Sequence, residues 1–192
     1  EVAAGHPTAL VVASRQEHVA NRIQAAFSGP KFRAYTNDDV AGVELAAALK
    51  NVIAIGAGIC EGLGLGSNST AALITRGLAE MIRLAVRLGG KRDTLFGLAG
   101  LGDLVLTCTG ELSRNRQCGI ALGSGRSLED FAGSTRMIAE GVKTTAAAHL
   151  LARQAEVEMP ITSQMYAVLY EKRSPHDAID RLMSRELKPE SR

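Results

Sequence analysis

Short apolar runs alternate with one amphipathic stretch over the first 37 residues. Residues 7–14 form an apolar run with β-branched side chains, which predicts a buried strand. Residues 15–27 place their apolar side chains on one helical face, and residues 32–36 alternate as in a second strand. This strand–helix–strand unit is too small to be a domain by itself, so we expect it to be the end of one.

Beyond residue 37, apolar residues recur at the three- and four-residue spacings of helices. A long helix is predicted from residue 38, capped by Asn37 or Asp38 and ending at the glycines that follow Glu61. Further helices are predicted over residues 70–88, up to about 122, over 135–155 and over 160–171. Predicted caps, including those of two additional helices, are Asn68 or Ser69, Thr109 or Ser113, Ser127 and Ser174. The pattern therefore predicts a mainly α protein behind a short β-α-β segment.

Composition agrees with helices packed through small residues, because 46% of the chain is hydrophobic but only 4% is aromatic. The net charge of +2 gives no general attraction to nucleic acid or membranes. The longest uncharged stretch, residues 62–75, has 14 residues and is polar, so no membrane span is predicted. The cysteines lack CxxC spacing and the histidines are scattered, which predicts reduced thiols, a cytoplasmic protein and no metal site.

Lys50 is the first candidate for chemistry, because the long helix surrounds it with small apolar side chains. Val43, Ala46, Ala47 and Ile53 lie three, four or seven positions away, on the same helical face. An ammonium group there is costly to desolvate and is suited to proton exchange. The alternative is that Lys50 extends along this face until its tip reaches water. Asn51 follows it and can share the edge of the same cavity, although a lone asparagine more often binds nearby backbone.

Asp103 is the second candidate, since it lies between a glycine-rich segment, residues 97–102, and an apolar run. It can pair with Lys50, and Thr107, one helical turn later, would face the same side. The alternative is that Asp103 caps a buried helix, and the two interpretations are compatible. Ser113, Arg114 and Asn115 follow closely; a hydroxyl, a guanidinium and an amide at a helix N-terminus can bind an anion such as phosphate, although most arginines are only solvated.

Glycine-rich segments do not form a nucleotide-binding loop in this chain. Residues 62–67 and 97–102 both lack the GxGxxG pattern between a strand and a helix, with an acidic residue about 20 positions later. Glu140, beside a glycine, has the features of an ordinary surface charge on spacing alone. Neither glycine-rich segment is therefore a dinucleotide fingerprint or a Walker loop.

Five segments together resemble the bacterial-type NAD(P)-dependent sn-glycerol-3-phosphate dehydrogenases. They are VELAAALKNVIAIGAGICEGLGLGSN, ALITRGLAEMIRL, LAGLGDLVLTCTGELSRNR, MIAEGVKT and VEMPIT. The resemblance runs in order from residue 1 to about 170. It implies an all-helical substrate domain over residues 38–192, similar to the C-terminal domain of 6-phosphogluconate dehydrogenase. Residues 1–37 would be the remnant of an NAD(P)-binding Rossmann domain.

The resemblance also implies a reaction and roles for individual residues. The reaction is the interconversion of dihydroxyacetone phosphate and sn-glycerol 3-phosphate with NAD or NADP, for glycerophospholipid synthesis, and Lys50 would be its catalytic acid and base. Implied substrate contacts are Lys50, Asn51, Asp103, Thr107, Ser113, Arg114 and Asn115. Implied cofactor contacts are Arg114, Ile138 and Glu140.

This sequence departs from the family because it lacks the glycine fingerprint and the second substrate-contacting lysine of the Rossmann domain. We therefore expect a piece of a dehydrogenase that is inactive alone, with most of the cofactor site elsewhere. Two alternatives stay open at this stage: a non-catalytic helical interaction or dimerisation module, and another two-domain dehydrogenase acting on hydroxy acids. NAD versus NADP preference and the oligomeric state, including a homodimer, are not determined by the sequence.

Overall fold

The computed structural model describes residues 1–134, 139–187 and 189. Its N-terminal part consists of strand β1 (Thr8–Ala13), helix α1 (Glu17–Phe27) and strand β2 (Phe32–Asn37). The two strands pair in parallel, with Thr8 opposite Phe32 and Ala13 opposite Asn37. The predicted strand–helix–strand unit is confirmed.

Helices make up most of the remaining described chain, which confirms the predicted mainly α fold. A five-residue π-helix at Leu98–Gly102 joins α4 to α5. The α-helices are α2 (Val40–Gly62), α3 (Ser67–Arg87), α4 (Arg92–Phe96), α5 (Asp103–Thr109), α6 (Arg114–Gly123), α7 (Leu128–Ser134), α8 (Glu140–Gln154), α9 (Pro160–Tyr170) and α10 (Pro175–Met183).

Helix α2 lies at the centre of the helical part, where α3, α5, α6, α8 and α9 pack around it. Residues 52–60 are all buried, so this half of α2 is apolar on every side, as expected of a core helix. It is also the helix, in the described part of the chain, that is long and apolar enough to cross a membrane, with a mean hydropathy of 1.6. Of that apolar window 61% is buried inside the protein, which is the pattern of a core helix. This helix is not an uncharged stretch of the sequence, because Glu44 and Lys50 interrupt its apolar residues.

Glycines let α2 and α6 cross with their backbones in contact. A Cβ atom on Gly58 would lie 2.0 Å from the carbonyl oxygen of Arg116, and one on Gly119 would lie 2.0 Å from that of Ile55. Gly62 makes a similarly close approach to α6, four residues after Gly58. The crossing fixes the N-terminus of α6 beside the middle of α2, where Lys50 and its neighbours lie.

The predicted helix starts are confirmed where a serine supplies the cap. Ser113 and Ser174 accept backbone N–H groups at the starts of α6 and α10, and Ser127 exchanges hydrogen bonds with Asp130 before α7. The prediction of Asn68 or Ser69 for α3 is wrong, because that helix begins at Ser67 after Gly66. Residues 135–138 of the predicted helix 135–155 lie outside the described residues, and α8 is described from Glu140.

Asp39, rather than Asn37 or Asp38, caps α2. Its Oδ1 accepts the Gly42 N–H at 2.9 Å, and its Oδ2 accepts the Lys91 N–H at 2.7 Å. These hydrogen bonds lower the pKa of Asp39 against the opposing effect of burial. One carboxylate thus caps α2 locally and also joins it to the start of α4. The predicted cap was wrong because Asn37, Asp38 and Asp39 are adjacent residues that all suit an N-cap, and the local pattern does not separate them.

Glu80 on α3 binds the N-terminus of α9. Its side chain is almost completely buried; Oε1 accepts the Ile161 N–H at 2.6 Å, and Oε2 accepts both the N–H and the hydroxyl of Thr162 at 3.1 Å. Burial raises the pKa of Glu80 to about 7, although these hydrogen bonds favour the charged form. The carboxylate replaces the missing side-chain cap of α9, whose N-cap residue is Met159.

Candidate active site

Lys50 and Asp103 form an ion pair between α2 and α5. Lys50 Nζ donates to Asp103 Oδ2 at 2.5 Å, and the two side chains are 20% and 32% exposed. The pairing predicted for these residues is present, and the ammonium does not simply extend to bulk water. A charge-assisted hydrogen bond at this partly buried position holds the ammonium in one place while leaving it accessible to a small molecule.

Asp103 is positioned by the turn before α5. It is the first residue of α5, and its side chain bonds to Lys50 instead of capping the helix, so the capping alternative is wrong. The preceding π-helix passes so close to α4 that a Cβ on Gly100 would lie 2.1 Å from the carbonyl oxygen of Leu95. Thr107 donates to the backbone oxygen of Asp103 at 2.6 Å and lies 3.4 Å from its Oδ1. Thr107 therefore faces the same side as Asp103, as predicted.

Cys108 lies on α5, near the Lys50–Asp103 ion pair. Its thiol is buried, and burial raises its pKa to about 12, against the opposing effect of the nearby Lys50 charge. A neutral thiol at this depth leaves Asp103 as the charged partner of Lys50. Sequence reasoning did not single out Cys108, since a cysteine within an apolar helix gives no distinguishing signal.

Arg114 stands exposed at the first position of α6. Ser113 caps this helix by accepting the Arg116 N–H at 3.3 Å. Arg116 pairs with Glu61 at 2.5 Å, whereas Arg114 makes no ion pair within the described part of the chain. An exposed guanidinium beside the positive end of a ten-residue helix has the chemistry of an anion site.

Asn115 connects three helices through its side-chain amide. Its Nδ2 donates to Asn51 Oδ1 on α2 at 2.9 Å, and its Oδ1 accepts the Gly141 N–H on α8 at 2.8 Å. We call these three residues, Asn51, Asn115 and Gly141, the asparagine bridge. Asn115 is only 6% exposed, so most of its hydrogen-bonding capacity serves the protein itself.

The asparagine bridge connects the start of α8, where Glu140 is a predicted cofactor contact, to Asn51 and Asn115, which are predicted substrate contacts. Glu140 is exposed, starts α8, and immediately precedes Gly141. Ile138, the other predicted cofactor contact, lies outside the described residues. The structure thus brings the predicted residues together in two groups. Lys50 lies with Asp103 and Thr107, and Asn51 lies with Asn115. Ser113, Arg114 and Glu140 adjoin the second group along the chain.

Two clefts lie elsewhere, near the β-α-β unit. One, of about 720 Å³, lies between the ends of the strands and the α4 region and is lined by residues such as Ser14, Asn37 and Lys91. The other, of about 650 Å³, lies between α1 and β2. Neither is lined by any of the predicted site residues. Among the residues described, no group of three or more His, Cys, Asp or Glu side chains is placed to hold a metal ion.

The fold is mainly helical, with a paired lysine on its central helix and a β-α-β unit in its N-terminal part. The family model described as NAD-dependent glycerol-3-phosphate dehydrogenase C-terminus matches residues 39–180. The chain belongs to this family, as its sequence motifs predicted.

Curated relatives and solved structures agree with this assignment. The chain is 62% identical over 186 residues to glycerol-3-phosphate dehydrogenase [NAD(P)+] of Koribacter versatilis, covering 96% of the chain and 55% of that relative. It is 58% identical over 190 residues to the protein of that name from Citrifermentans bemidjiense, covering 99% of the chain and 57% of that relative. The crystal structure of glycerol-3-phosphate dehydrogenase from Coxiella burnetii matches with a TM-score of 0.92 and 47% identity, covering 96% of this chain and 57% of that one. The chain thus spans a little over half the length of these relatives.

Proposed function

We propose that this chain supplies the substrate-binding and proton-transferring part of an NAD(P)-dependent enzyme. The enzyme interconverts dihydroxyacetone phosphate and sn-glycerol 3-phosphate. The observation that carries the proposal is the Lys50–Asp103 ion pair, which is partly exposed and lies beside the N-terminus of α6. Family membership and the names of the relatives support the same reaction.

Lys50 is the catalytic acid and base in this proposal. In the direction of reduction its ammonium donates a proton to the carbonyl oxygen at C2 of dihydroxyacetone phosphate. In oxidation the neutral amine accepts the hydroxyl proton of sn-glycerol 3-phosphate. Asp103 fixes the direction of Nζ through the 2.5 Å hydrogen bond, and Thr107 bonds to the backbone of Asp103. Lys50 and Asp103 also touch the substrate.

Ser113 and Arg114 bind the substrate phosphate. The guanidinium can make two parallel hydrogen bonds to phosphate oxygens, and the N–H groups of the first turn of α6 add further donors. Fixing the phosphate at one end of a three-carbon substrate holds C2 near Lys50, which lowers the entropy cost of reaching the reactive geometry. Asn51, Thr107 and Asn115 complete the proposed substrate contacts.

The described residues fit one side of a nicotinamide cofactor. Glu140 offers an exposed carboxylate, which is the group that accepts hydrogen bonds from ribose hydroxyls, and Arg114 offers charge to a phosphate. NAD or NADP, when bound, supplies or accepts the hydride at C2. Ile138 completes the proposed cofactor contacts. The chain contains no glycine fingerprint, so we assign the greater part of cofactor binding to a Rossmann domain to which residues 1–37 belong, with residues 38–192 as the substrate domain.

A small phosphorylated molecule is thus the proposed partner, and its reduced product is a backbone for glycerophospholipid synthesis in the cytoplasm. The proposed reaction does not depend on whether the chain forms a homodimer.

A completed enzyme tests the proposal. The chain would be joined to the N-terminal part of the Koribacter versatilis relative, and NADH oxidation would be followed with dihydroxyacetone phosphate. Dihydroxyacetone, which lacks the phosphate, and a hydroxy acid with NAD are the control substrates. We expect activity that depends on dihydroxyacetone phosphate and is far weaker with both controls. An enzyme that folds but is inactive with dihydroxyacetone phosphate, or equally active with the hydroxy acid, would contradict the proposal.

A further inference from the structure

Each residue of the asparagine bridge has a proposed functional residue as its direct neighbour in the chain. Asn51 follows Lys50, Asn115 follows Arg114, and Gly141 follows Glu140. The bridge residues are joined to one another inside the protein, by hydrogen bonds of 2.9 Å and 2.8 Å. The side chains of Arg114 and Glu140 are exposed, and that of Lys50 is partly exposed. The bridge is thus the internal connection between three side chains that come from three different helices.

Asn115 also completes the start of α8. The N-cap residue of this helix, Ala139, has no side chain that can accept a hydrogen bond. The Gly141 N–H is one of the first-turn donors that a helix leaves without an internal partner, and the Asn115 amide oxygen accepts it. The start of α8, and with it Glu140, is therefore held by a residue of α6 rather than by its own sequence.

Position 141 has room only for glycine. A Cβ atom there would lie 2.7 Å from the backbone oxygen of Asn51, 2.8 Å from Asn115 Oδ1 and 3.0 Å from a methyl group of Ile55. The first of these is a backbone atom of the buried core helix α2, which cannot easily move. Any side chain at position 141 would therefore push the start of α8 away from α2 and α6.

We propose that Gly141 and Asn115 are positioning residues, which set the place of Glu140 on the cofactor side relative to Lys50 and Arg114 on the substrate side. This inference rests on the proposed function. Lys50 and Arg114 lie on α2 and α6, which cross through glycine contacts that involve none of the bridge residues. Glu140 lies on α8, whose start depends on it. Loss of the bridge therefore displaces the cofactor side and leaves the substrate side in place.

The test compares Gly141→Ala with Gly133→Ala in the completed enzyme. Gly133 lies in α7 with nothing within 4 Å of a Cβ placed on it, so it is the matched control. For Gly141→Ala we expect the KM for NADH to rise about tenfold and kcat to fall, while the KM for dihydroxyacetone phosphate stays within about twofold. Gly133→Ala should leave kcat and the KM values for NADH and dihydroxyacetone phosphate unchanged. A purely structural role would lower the amount of active enzyme and leave both KM values as they were.

Asn115→Ala gives a second test without a steric clash, in case Gly141→Ala does not fold. It removes both hydrogen bonds, and we expect the KM for NADH to rise as in Gly141→Ala. The KM for dihydroxyacetone phosphate should rise as well in this variant, because Asn115 is also a proposed substrate contact. A rise confined to the KM for dihydroxyacetone phosphate would overturn the positioning role and make Asn115 a substrate contact only. Unchanged KM values for NADH in both folded variants would also overturn it. Lack of any activity in the unsubstituted enzyme would instead overturn the proposed function.

Discussion

Three charged side chains divide the proposed chemistry among them. In the proposed reaction Lys50 would move a proton and Arg114 would bind the phosphate, while Asp103 holds Lys50 by the ion pair. Their environments agree with these roles: Lys50 and Asp103 pair in a partly buried position, whereas Arg114 is exposed and makes no ion pair among the described residues. An ammonium that moves protons benefits from a fixed partner, and a guanidinium that captures an anion benefits from being free to accept one.

Arg114→Ala should weaken substrate binding without preventing folding. Hydrogen bonds to charged groups contribute about 1.5–3 kcal/mol each, so losing the guanidinium should raise the KM for dihydroxyacetone phosphate by roughly 10–100-fold. At saturating NADH, which offsets the loss of the proposed contact between Arg114 and the cofactor, the weak activity with dihydroxyacetone should change far less. Arg22→Ala, on the exposed face of α1, is the matched control. Steady-state kinetics of the completed enzyme give the KM and kcat of both variants with each substrate. An equal loss of activity with dihydroxyacetone phosphate and with dihydroxyacetone would show that Arg114 does not bind the phosphate.

Helix contacts explain why the site has its shape. The glycine crossing of α2 with α6, the Asn115 cap of α8 and the Glu80 cap of α9 all join elements distant in sequence. The first two converge on the middle of α2, beside Lys50. The third joins α3 to α9, and its hydrogen bonds involve none of the proposed site residues.

Gly58→Ala should destabilise the chain by about 1–3 kcal/mol, because its methyl group would overlap the Arg116 backbone and force α2 and α6 apart. Gly133→Ala, with open space around it, should be neutral or slightly stabilising, since alanine is the better helix former. Urea unfolding of the 192-residue chain gives both values. Equal stabilities of the two variants would show that the close crossing does not constrain position 58.

The Glu80 cap predicts a pH dependence of stability. Burial raises the pKa of Glu80 from 4.5 to about 7, so the folded protein holds this proton more tightly than the unfolded chain. Since the charged carboxylate is costly to bury, the free energy of unfolding is greatest when Glu80 is protonated in both states, below pH 4.5. It falls as the pH rises through about 7, by about 3 kcal/mol.

Glu80→Gln should flatten the pH dependence of the free energy of unfolding between pH 5 and about 8, because an amide does not titrate in this range. It should also lower stability throughout, since its NH₂ group cannot accept from Ile161 or Thr162. Exposed Glu129→Gln is the control. Urea unfolding at several pH values measures the slope, and an unchanged slope in Glu80→Gln would assign the pH dependence to other groups.

At the scale of the whole molecule, the sequence predicted what depends on local pattern. The β-α-β unit, the long apolar helix and the serine caps follow from periodicity and from side chains that bond to their own helix. It did not predict the role of Glu80 or the need for Gly141, because each depends on a partner 26 to 82 residues away. It missed the Asp39 cap for a local reason, since Asn37, Asp38 and Asp39 are neighbours that all suit an N-cap. The Lys50–Asp103 pair was predicted only as a hypothesis, and its 53-residue separation shows why spacing alone could not decide it.

The proposed chemistry depends most directly on the role of Lys50, and a matched pair of lysine substitutions tests this role. Lys91 pairs with Asp38 at 2.6 Å, as Lys50 pairs with Asp103. Both side chains of the Lys91–Asp38 pair are more than half exposed, and neither residue is a proposed site residue. Lys50→Met and Lys91→Met would be compared for kcat in the completed enzyme, with thermal unfolding as a check on folding. We predict that kcat falls by about 10²–10⁴-fold in Lys50→Met, because the proton donor is gone, and stays unchanged in Lys91→Met. A folded Lys50→Met enzyme with the kcat of the unsubstituted enzyme would contradict the account.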